Sequence, residues 1–222
     1  MINDFENSLI ENIDNQNDKE KEIISFLLSN GISTEKSKMI TEKLYYKFYN
    51  LYNIVNASKN ELIKIKGLGN KRAEMLKSLP KILEYYLLSR LKLSTLHFNK
   101  KDLIDYLIIK FGKLKFEAFS IICLDTNKRF ISIEQIFRGT IDSATIYPND
   151  LVEKSLSLGA SYVIISHNHP SGISKPSKED IEITKILYKA FLIVNIKMID
   201  HLIIAGDSIY SFRESGILED FN

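Results

Sequence analysis

The spacing of apolar residues changes near residue 100 and divides the chain into two parts with different predicted structures. Before that position, apolar residues recur at the helical period of three to four, first in residues 22–30 and then from Thr34 to about Tyr49. After it, short runs of β-branched and aromatic residues, which are typical of strands, alternate with helical stretches. The pattern therefore predicts an all-helical N-terminal domain and a C-terminal α/β domain whose sheet is flanked by helices.

Start and stop signals in the sequence predict the individual elements of both parts. In the first part, a capping box at residues 58–61 begins a short helix, and a further helix is predicted between Pro80 and Lys101, ahead of the hinge. In the second part, helices are predicted at residues 102–111, 148–159 and 181–190. Strands are predicted at residues 119–124, 130–137, 162–166, 194–198, 201–205 and 209–212.

Changes in charge and polarity indicate the domain boundaries. Residues 1–22 contain seven acidic residues and two lysines, so residues 1–20 are predicted to form a flexible acidic arm. Residues 21–97 form the predicted helical domain and residues 98–222 the α/β domain, with a polar hinge near His97. His97 itself is most simply a linker side chain.

The composition is that of an ordinary globular protein. The 222 residues are 45% hydrophobic, and a net charge of +2 argues against a molecule that binds polyanions over its whole surface. Cys123 is the single cysteine, which excludes an intramolecular disulfide and a cysteine-based zinc cluster, and its apolar neighbours predict a buried core thiol. The sequence shows neither an apolar run of membrane-spanning length nor a signal-peptide pattern, so we expect a cytoplasmic protein that binds no membrane.

The candidate chemistry lies in residues 166–180, which read SHNHPSGISKPSKED. His167 and His169 follow an apolar strand with one residue between them, so both imidazoles project from the same face and can converge on one ion. Ser177 fits the N-cap of a helix, which places Asp180 in the first turn, where a loop returning from the strand can bring its carboxylate beside the histidines. Two nitrogens, one carboxylate oxygen and a water are the ligands of a catalytic zinc ion. The alternative is that both histidines are loop residues and that Ser177 and Asp180 only cap a helix.

The complete string resembles a known motif. His167-x-His169, seven residues, Ser177, two residues and Asp180 are similar to the JAMM motif of the MPN+ (JAB) metalloprotease family, and the wording SHNHPSG resembles the RadC-like branch. The resemblance implies the cytidine-deaminase-like MPN fold and one Zn²⁺ per chain, held by His167, His169 and Asp180. It is strong from about residue 100 onward and weak in the helical part.

The resemblance also implies the catalytic roles. JAMM enzymes use a glutamate at the start of the first strand as general base, and Glu117 stands there in this sequence, with Glu134 in the second strand as its competitor. Such a carboxylate takes a proton from the water and later returns it. Ser177 either donates to the carbonyl oxygen as negative charge develops or only caps the helix.

Two residues outside the motif also bear on the resemblance. His201 follows Asp200 at the start of an apolar segment, as in RadC-like proteins, and we interpret it as a structural residue or as a support for the metal site that is fixed by a carboxylate. Asn149 stands where the family usually has an arginine, so any role of that arginine in substrate binding or sheet packing is missing or moved.

The helical part carries a second motif. Residues 65–73, IKGLGNKRA, resemble a helix-hairpin-helix, in which two glycines permit a tight turn and expose backbone N–H groups to a DNA phosphate. Residues 61–92 contain eight Lys/Arg and three Asp/Glu, a local charge of +5. The candidate nucleic-acid contacts, which read no base sequence, are Lys66, Gly67, Gly69, Lys71 and Arg72. The alternative is a plain α-hairpin, or a hairpin used for protein contacts.

These motifs support two functions of different class. The first is a zinc-dependent metallopeptidase that hydrolyses a peptide or isopeptide bond in an unidentified peptide or protein substrate. The second is a DNA-binding accessory protein in repair or recombination, with a structural or vestigial metal site. A nucleobase deaminase of the same wider fold needs a pair of cysteines for its zinc, which Cys123 alone cannot supply.

Overall fold

The structure is a computed structural model that describes residues 17–93, 99–139 and 146–221. It divides into two compact units, of which one ends at Ile82 and the other begins at Leu83. The hinge predicted near His97 and residues 1–16 of the predicted arm lie outside the described residues, whereas residues 17–20 are helical. The domain limits inferred from the sequence stay predictions.

The first unit is built from helices. These are α1 (17–28), α2 (Thr34–Phe48), α3 (Leu51–Asn56), α4 (Lys59–Ile63) and α5 (Gly69–Leu93), the last of which continues into the second unit. Ser33 caps α2, and Ser58 and Glu61 form the predicted capping box of α4. The buried faces share one core, which contains Ile24, Leu28, Ile40, Leu44, Ile54, Leu62, Leu68 and Leu76.

The second unit contains a five-stranded mixed sheet. Its elements are α6 (Lys100–Phe111), β1 (Glu117–Leu124), β2 (Phe130–Gly139), α7 (Pro148–Ser157), β3 (Tyr162–Asn168), α8 (Lys178–Ile193), β4 (Lys197–Ala205) and β5 (Ser208–Ser211). The strand order is β2-β1-β3-β4-β5, in which β3 and β4 are parallel and the other neighbours are antiparallel. A parallel pair needs a long crossover, and α8 provides it between β3 and β4.

Each face of the sheet is covered by its own apolar core. The first core, shared with α7 and α8, contains Phe119, Ile121, Val163, Ile165, Leu151, Leu187 and Phe191. The second, shared with α6 and the last turns of α5, contains Ile122, Ile164, Leu202, Leu103, Leu107, Leu87 and Leu91. Burial on both faces explains why the strand sequences are continuously apolar. Cys123 lies in the first core, where burial raises the pKa of its thiol, in agreement with a core position.

The predicted fold class is confirmed, whereas two of the predicted elements are wrong. The strands predicted at 194–198 and 201–205 are one strand, β4, because the polar Asp200 between them is accommodated by hydrogen bonds from Ser211 and from the backbone of His201. The helix predicted between Pro80 and the hinge is the second part of α5, which begins at Gly69 and contains Pro80. Leu76 before Pro80 and Leu87 after it are each buried in an apolar core, so packing on either side of Pro80 offsets its missing N–H.

Candidate metal centre

β3 carries the two histidines to one end of the sheet. Its antiparallel register with β1 places Phe119 opposite His167, and the two rings stack with centroids 5.8 Å apart. His167 is buried, with 1% of its surface exposed. Asn168 is the last residue of β3, and the side chain of His169 beyond it is 13% exposed. The site therefore lies at the rim of the core, with one ring inside and one partly open to solvent.

The loop after β3 returns to the start of α8 and brings Asp180 to the histidines. Gly172 turns the loop at a φ of 78°, a conformation that favours glycine. Ser177 Oγ then accepts a hydrogen bond from Asp180 N at 3.0 Å, while Ser177 N donates to Asp180 Oδ2 at 2.7 Å. This is the predicted capping box, and it fixes a carboxylate that is 3% exposed.

The structure brings the three predicted ligands together. His167 Nε2 lies 3.0 Å from Asp180 Oδ1 and 2.9 Å from His169 Nε2, and His169 Nε2 lies 3.3 Å from Asp180 Oδ2. One ligand atom from each residue lies within 4.8 Å of the other two. Such a buried triad is able to hold a metal ion.

The chemistry of these donors fits a metal cation. His169 Nδ1 lies 2.7 Å from the carbonyl oxygen of Ile173, which only accepts hydrogen bonds, so Nδ1 carries the proton and the Nε2 of the neutral ring presents a lone pair. This lone pair faces the Asp180 carboxylate and the His167 imidazole at hydrogen-bond distance. A cation placed between the three groups stabilises them. Two imidazole nitrogens with one carboxylate oxygen match the ligand types of zinc.

The charges of the triad are set by their contacts. Burial by itself raises the pKa of Asp180, but the hydrogen bonds to His167 and His169 outweigh it and lower the pKa well below its usual range. The Asp180 carboxylate is therefore ionised. The hydrogen bond to Asp180 in turn raises the pKa of His169, so that a metal ion competes with a proton for its Nε2.

Glu117 begins β1 on the same strand face as Phe119. Continuing the β1–β3 register by two residues places Glu117 opposite His169. In agreement with this position, the charge of Glu117 adds to the effect of Asp180 in raising the pKa of His169.

Asn168 fixes the backbone on both sides of Glu117. Its side-chain amide donates to the carbonyl oxygen of Phe116 at 3.1 Å and accepts from Ala118 N at 2.8 Å. The residue between the two histidines thus ties the strand that leads to them to the strand that carries the candidate base. The sequence alone did not indicate this role.

Glu134 has a different environment. It pairs with Ile121 across β1 and β2, farther from the histidines than Glu117, and its carboxylate lies 3.5 Å from Lys154 Nζ. Asn149, the other position singled out by the sequence, is exposed in the first turn of α7. Neither residue is among the three that form the candidate metal-binding triad.

His201 contacts the site, but its partner is not a carboxylate. Its Nε2 lies 2.8 Å from His167 Nδ1, and its Nδ1 lies 2.7 Å from Thr184 Oγ1. Asp200 instead accepts hydrogen bonds from Ser211 and from backbone N–H groups. The expected carboxylate partner is therefore wrong, because successive strand residues point to opposite faces. Thr184 follows Asp180 by one helical turn, and this spacing is the sequence signal that indicates it.

The turn between α4 and α5 has the geometry that its two glycines predict. Gly67 and Gly69 have φ values of 100° and 68°, which side chains rarely adopt. Lys66 and Lys71 are exposed beside the turn. These four candidate contacts are therefore open to a partner.

Arg72 has contacts within the first unit. Its Nε donates to the carbonyl oxygen of Leu28 at 2.9 Å, and its Nη2 donates to that of Asn30 at 2.7 Å. Arg72 thereby satisfies carbonyl groups at the end of α1. A structural role thus competes with the DNA contact predicted from its charge.

The fold and the triad define a class: an α/β domain with a candidate mononuclear metal centre at one end of a mixed sheet. A family model described as RadC-like JAB domain matches residues 98–217. The chain belongs to the RadC-like JAB domain family, as its motif implies. Among the described residues, no helix combines the length and apolar character needed to cross a bilayer.

Similar proteins span most of the chain. A UPF0758 protein of Methylibium petroleiphilum is 32% identical over 197 residues, which is 89% of each chain. A UPF0758 protein of Pseudoalteromonas translucida is 33% identical over 197 residues, 89% of this chain and 88% of that protein. A UPF0758 protein of Variovorax paradoxus is 32% identical over 199 residues, with coverages of 89% and 88%. These names describe no activity.

Proposed function

We propose that the chain is a zinc-dependent metallopeptidase of the JAMM type, which hydrolyses a peptide or isopeptide bond. The observation that carries the proposal is the convergence of His167 Nε2, His169 Nε2 and the ionised Asp180 carboxylate. Three protein ligands leave a fourth position for water, the arrangement of catalytic rather than structural zinc sites. The membership of the chain in the RadC-like JAB domain family supports the same interpretation of the triad.

Each residue of the site has a separate task in amide hydrolysis. His167, His169 and Asp180 would hold a zinc ion, which would supply a Lewis acid and lower the pKa of water toward about 7. Glu117 takes the proton from the attacking water and passes it to the leaving amine. Glu117 lies opposite His169, and Asn168 holds the backbone on both sides of Glu117 by hydrogen bonds. This position supports the role of general base for Glu117 over Glu134.

Ser177 is the candidate donor to the developing oxyanion. In the structure its hydroxyl donates to Asp180 Oδ2 at 2.6 Å, so it also orients the carboxylate. Donation to a substrate oxygen requires the hydroxyl to turn away from Asp180, which the exposed position of Ser177 permits. Capping and catalysis thus use the same hydroxyl in different states.

The deciding experiment replaces the base without removing the metal ligands. Zinc-loaded wild type is screened against internally quenched peptides and isopeptide-linked peptide pairs, and Glu117→Gln is compared with Glu134→Gln on the best substrate. We expect Glu117→Gln to keep its zinc and to lose about 10²–10⁴-fold in kcat, because general base catalysis has that magnitude. Glu134→Gln is expected to retain wild-type activity. Equal losses in both variants, or an unaffected Glu117→Gln, would contradict the assignment.

DNA binding through the hairpin is the second candidate function. Exposed Lys66 and Lys71 flank a turn whose glycines open the backbone at the start of α5. We expect Lys66→Ala/Lys71→Ala to weaken binding of a duplex irrespective of its sequence and to reduce the salt slope by about 2. Lys36→Ala/Lys38→Ala, which replaces two exposed lysines on α2, is the matched control. Fluorescence anisotropy with two unrelated duplexes measures both quantities, and equal effects of the control would refute a hairpin site.

A further inference from the structure

A chain of three buried hydrogen bonds leads from α8 to His167. Thr184 Oγ1 donates to the carbonyl oxygen of Asp180, one turn earlier in the helix. The same oxygen lies 2.7 Å from His201 Nδ1, and His201 Nε2 lies 2.8 Å from His167 Nδ1. Thr184 and His201 are both 0% exposed, so solvent water does not compete for these bonds. The chain ends at a ring whose other nitrogen faces the metal position.

The direction of each bond follows from counting protons. The Asp180 carbonyl oxygen only accepts, so it uses the single hydroxyl proton of Thr184. Thr184 Oγ1 must then accept from His201, which places the proton of the neutral His201 ring on Nδ1. Since His201 Nε2 becomes an acceptor, His167 Nδ1 must donate to it. In a neutral His167 ring, Nε2 then keeps the lone pair.

The reversed chain would prevent metal binding. If the Thr184 hydroxyl donated to His201 Nδ1, the His201 proton would lie on Nε2 and His167 Nδ1 would have to accept. His167 Nε2 would then carry the proton and donate it to Asp180 Oδ1 at 3.0 Å. A protonated Nε2 has no lone pair for a metal ion. The two directions differ in whether the Thr184 hydroxyl donates to the carbonyl oxygen of Asp180 or to His201 Nδ1.

The ring of His201 is held in one orientation by its neighbours. Phe212 stacks on it with centroids 4.8 Å apart and an interplanar angle of 14°. Phe119 meets it edge-on at 5.7 Å and 69°. A ring flip that would exchange Nδ1 and Nε2 is opposed by this packing, so the proton position, not the ring orientation, is the variable.

We propose that Thr184 and His201 are positioning residues of the metal centre. The Thr184 hydroxyl selects the Nδ1–H tautomer of His201. His201 thereby holds His167 in the Nδ1–H tautomer, in which His167 Nε2 is able to bind a metal ion. This inference deepens the proposed function because it concerns the same metal site. Its first readout, the protonation of ring nitrogens, requires neither bound metal nor a substrate. Residues that orient a ligating histidine in this way fix its tautomer and its basicity.

Long-range ¹H–¹⁵N correlation of histidine rings tests the proposal in the full-length protein. The spectra are recorded without metal at pH 8.5, where an ordinary imidazole is neutral. We expect His167, His169 and His201 each to be protonated on Nδ1. Thr184→Val keeps the shape and removes the hydroxyl, so His167 and His201 should move to Nε2–H or to a mixture of tautomers. His169 should not change, because the Ile173 carbonyl fixes its proton independently.

Zinc affinity gives a second readout on matched pairs of variants. Competition with a chromophoric chelator should show 10–100-fold weaker binding for Thr184→Val, the usual cost of losing a group that orients a ligand. Thr184→Ser retains the hydroxyl and should stay within about threefold of wild type. His201→Gln, whose amide can accept from His167 and donate to Thr184, should bind more tightly than His201→Leu, which can do neither.

A His201 ring protonated on Nε2 instead of Nδ1 in the metal-free wild type would overturn the proposal, whatever the variants show. Thr184→Val with unchanged tautomers and unchanged zinc affinity would overturn it as well. If the rings carry Nδ1–H as expected and respond to Thr184→Val, but zinc does not bind the wild type, the positioning chain stands and the proposed function fails. The two proposals are thereby tested separately.

Discussion

Substitution of Ser177 separates the capping role of this residue from its proposed catalytic role. In the structure Ser177 Oγ accepts from Asp180 N at 3.0 Å and donates to Asp180 Oδ2 at 2.6 Å. Ser177→Ala removes both bonds, and we expect the free energy of unfolding to fall by about 1 kcal/mol, the usual cost of losing an N-cap. The loss of the bond to the carboxylate adds little, because Asp180 Oδ2 keeps the hydrogen bond from Ser177 N at 2.7 Å.

Ser177→Asn and Ser177→Thr are the controls for this prediction. Asparagine caps helices as well as serine, so Ser177→Asn should change the stability by only a few tenths of a kcal/mol. It lacks the hydroxyl, and removal of one oxyanion donor typically lowers kcat by about 10²–10³-fold. Ser177→Thr should retain both properties. Urea unfolding in chelator, followed by the amide resonances of α8, measures the stability, and hydrolysis by the zinc-loaded protein measures the rate.

The reasoning on Ser177 fails if the two properties do not separate. Ser177→Asn with wild-type kcat would show that the hydroxyl takes no part in catalysis. Ser177→Ala with unchanged stability would show that the capping bond contributes nothing to α8. Loss of zinc in Ser177→Asn would show that the bond to Asp180 is needed for metal binding instead.

Three further predictions follow from the contacts. Asn168→Ala should lower kcat by about 10²-fold while zinc stays bound, because releasing the backbone around Glu117 displaces the base by an amount that catalysis does not tolerate. Removal of zinc by a chelator should lower the free energy of unfolding by about 2.7 kcal/mol relative to protein with zinc at 100 times its Kd, as measured by urea unfolding. Arg72→Ala should destabilise the first unit by about 1–3 kcal/mol in urea unfolding, because the carbonyl groups of Leu28 and Asn30 lose their donor, whereas Lys71→Ala should change it by less than about 0.5 kcal/mol.

Each of these predictions has a contrary result. Asn168→Ala with normal kcat would show that the hydrogen bonds of Asn168 are not needed to position Glu117 for catalysis. Identical unfolding curves with and without zinc would mean that the metal binds the unfolded chain as well as the folded one. Equal stability of Arg72→Ala and Lys71→Ala would mean that the contacts of Arg72 with Leu28 and Asn30 contribute no stability.

The grouping of the three candidate metal ligands could be predicted from the sequence because its determinants are local. His167, His169 and Asp180 lie within fourteen residues, and the strand, the turn at Gly172 and the capping box that connect them are each visible in the sequence. The fold class was equally accessible, since a change in the apolar period marks the change from helices to sheet.

The supporting residues could not be predicted because their partners are distant in the chain. Asn168 contacts residues about fifty positions earlier, and its role depends on the pairing of β3 with β1. Arg72 was predicted to contact DNA on the basis of its charge, yet the structure gives it carbonyl partners more than forty positions away. Only a tertiary fold creates such contacts, and local patterns do not report them.

Glu117 lies between these two cases. Spacing alone did not separate it from Glu134, and the preference came from the resemblance to the JAMM motif. The strand register supports the same choice through geometry, because it places Glu117 opposite His169 and pairs Glu134 with Ile121. The assignment of the general base still depends on the kinetics of the two glutamine variants.

The metal content of tag-free protein tests the central claim most directly. Inductively coupled plasma mass spectrometry is applied to wild type, to His167→Ala/His169→Ala and to His97→Ala, a histidine outside the motif, after zinc is offered at neutral pH and excess is removed. The account predicts about one zinc per chain in wild type and in His97→Ala, and none in the double variant when circular dichroism shows that it is folded. Zinc-free wild type, or equal zinc in the folded double variant, would contradict the metal centre and with it the proposed hydrolase.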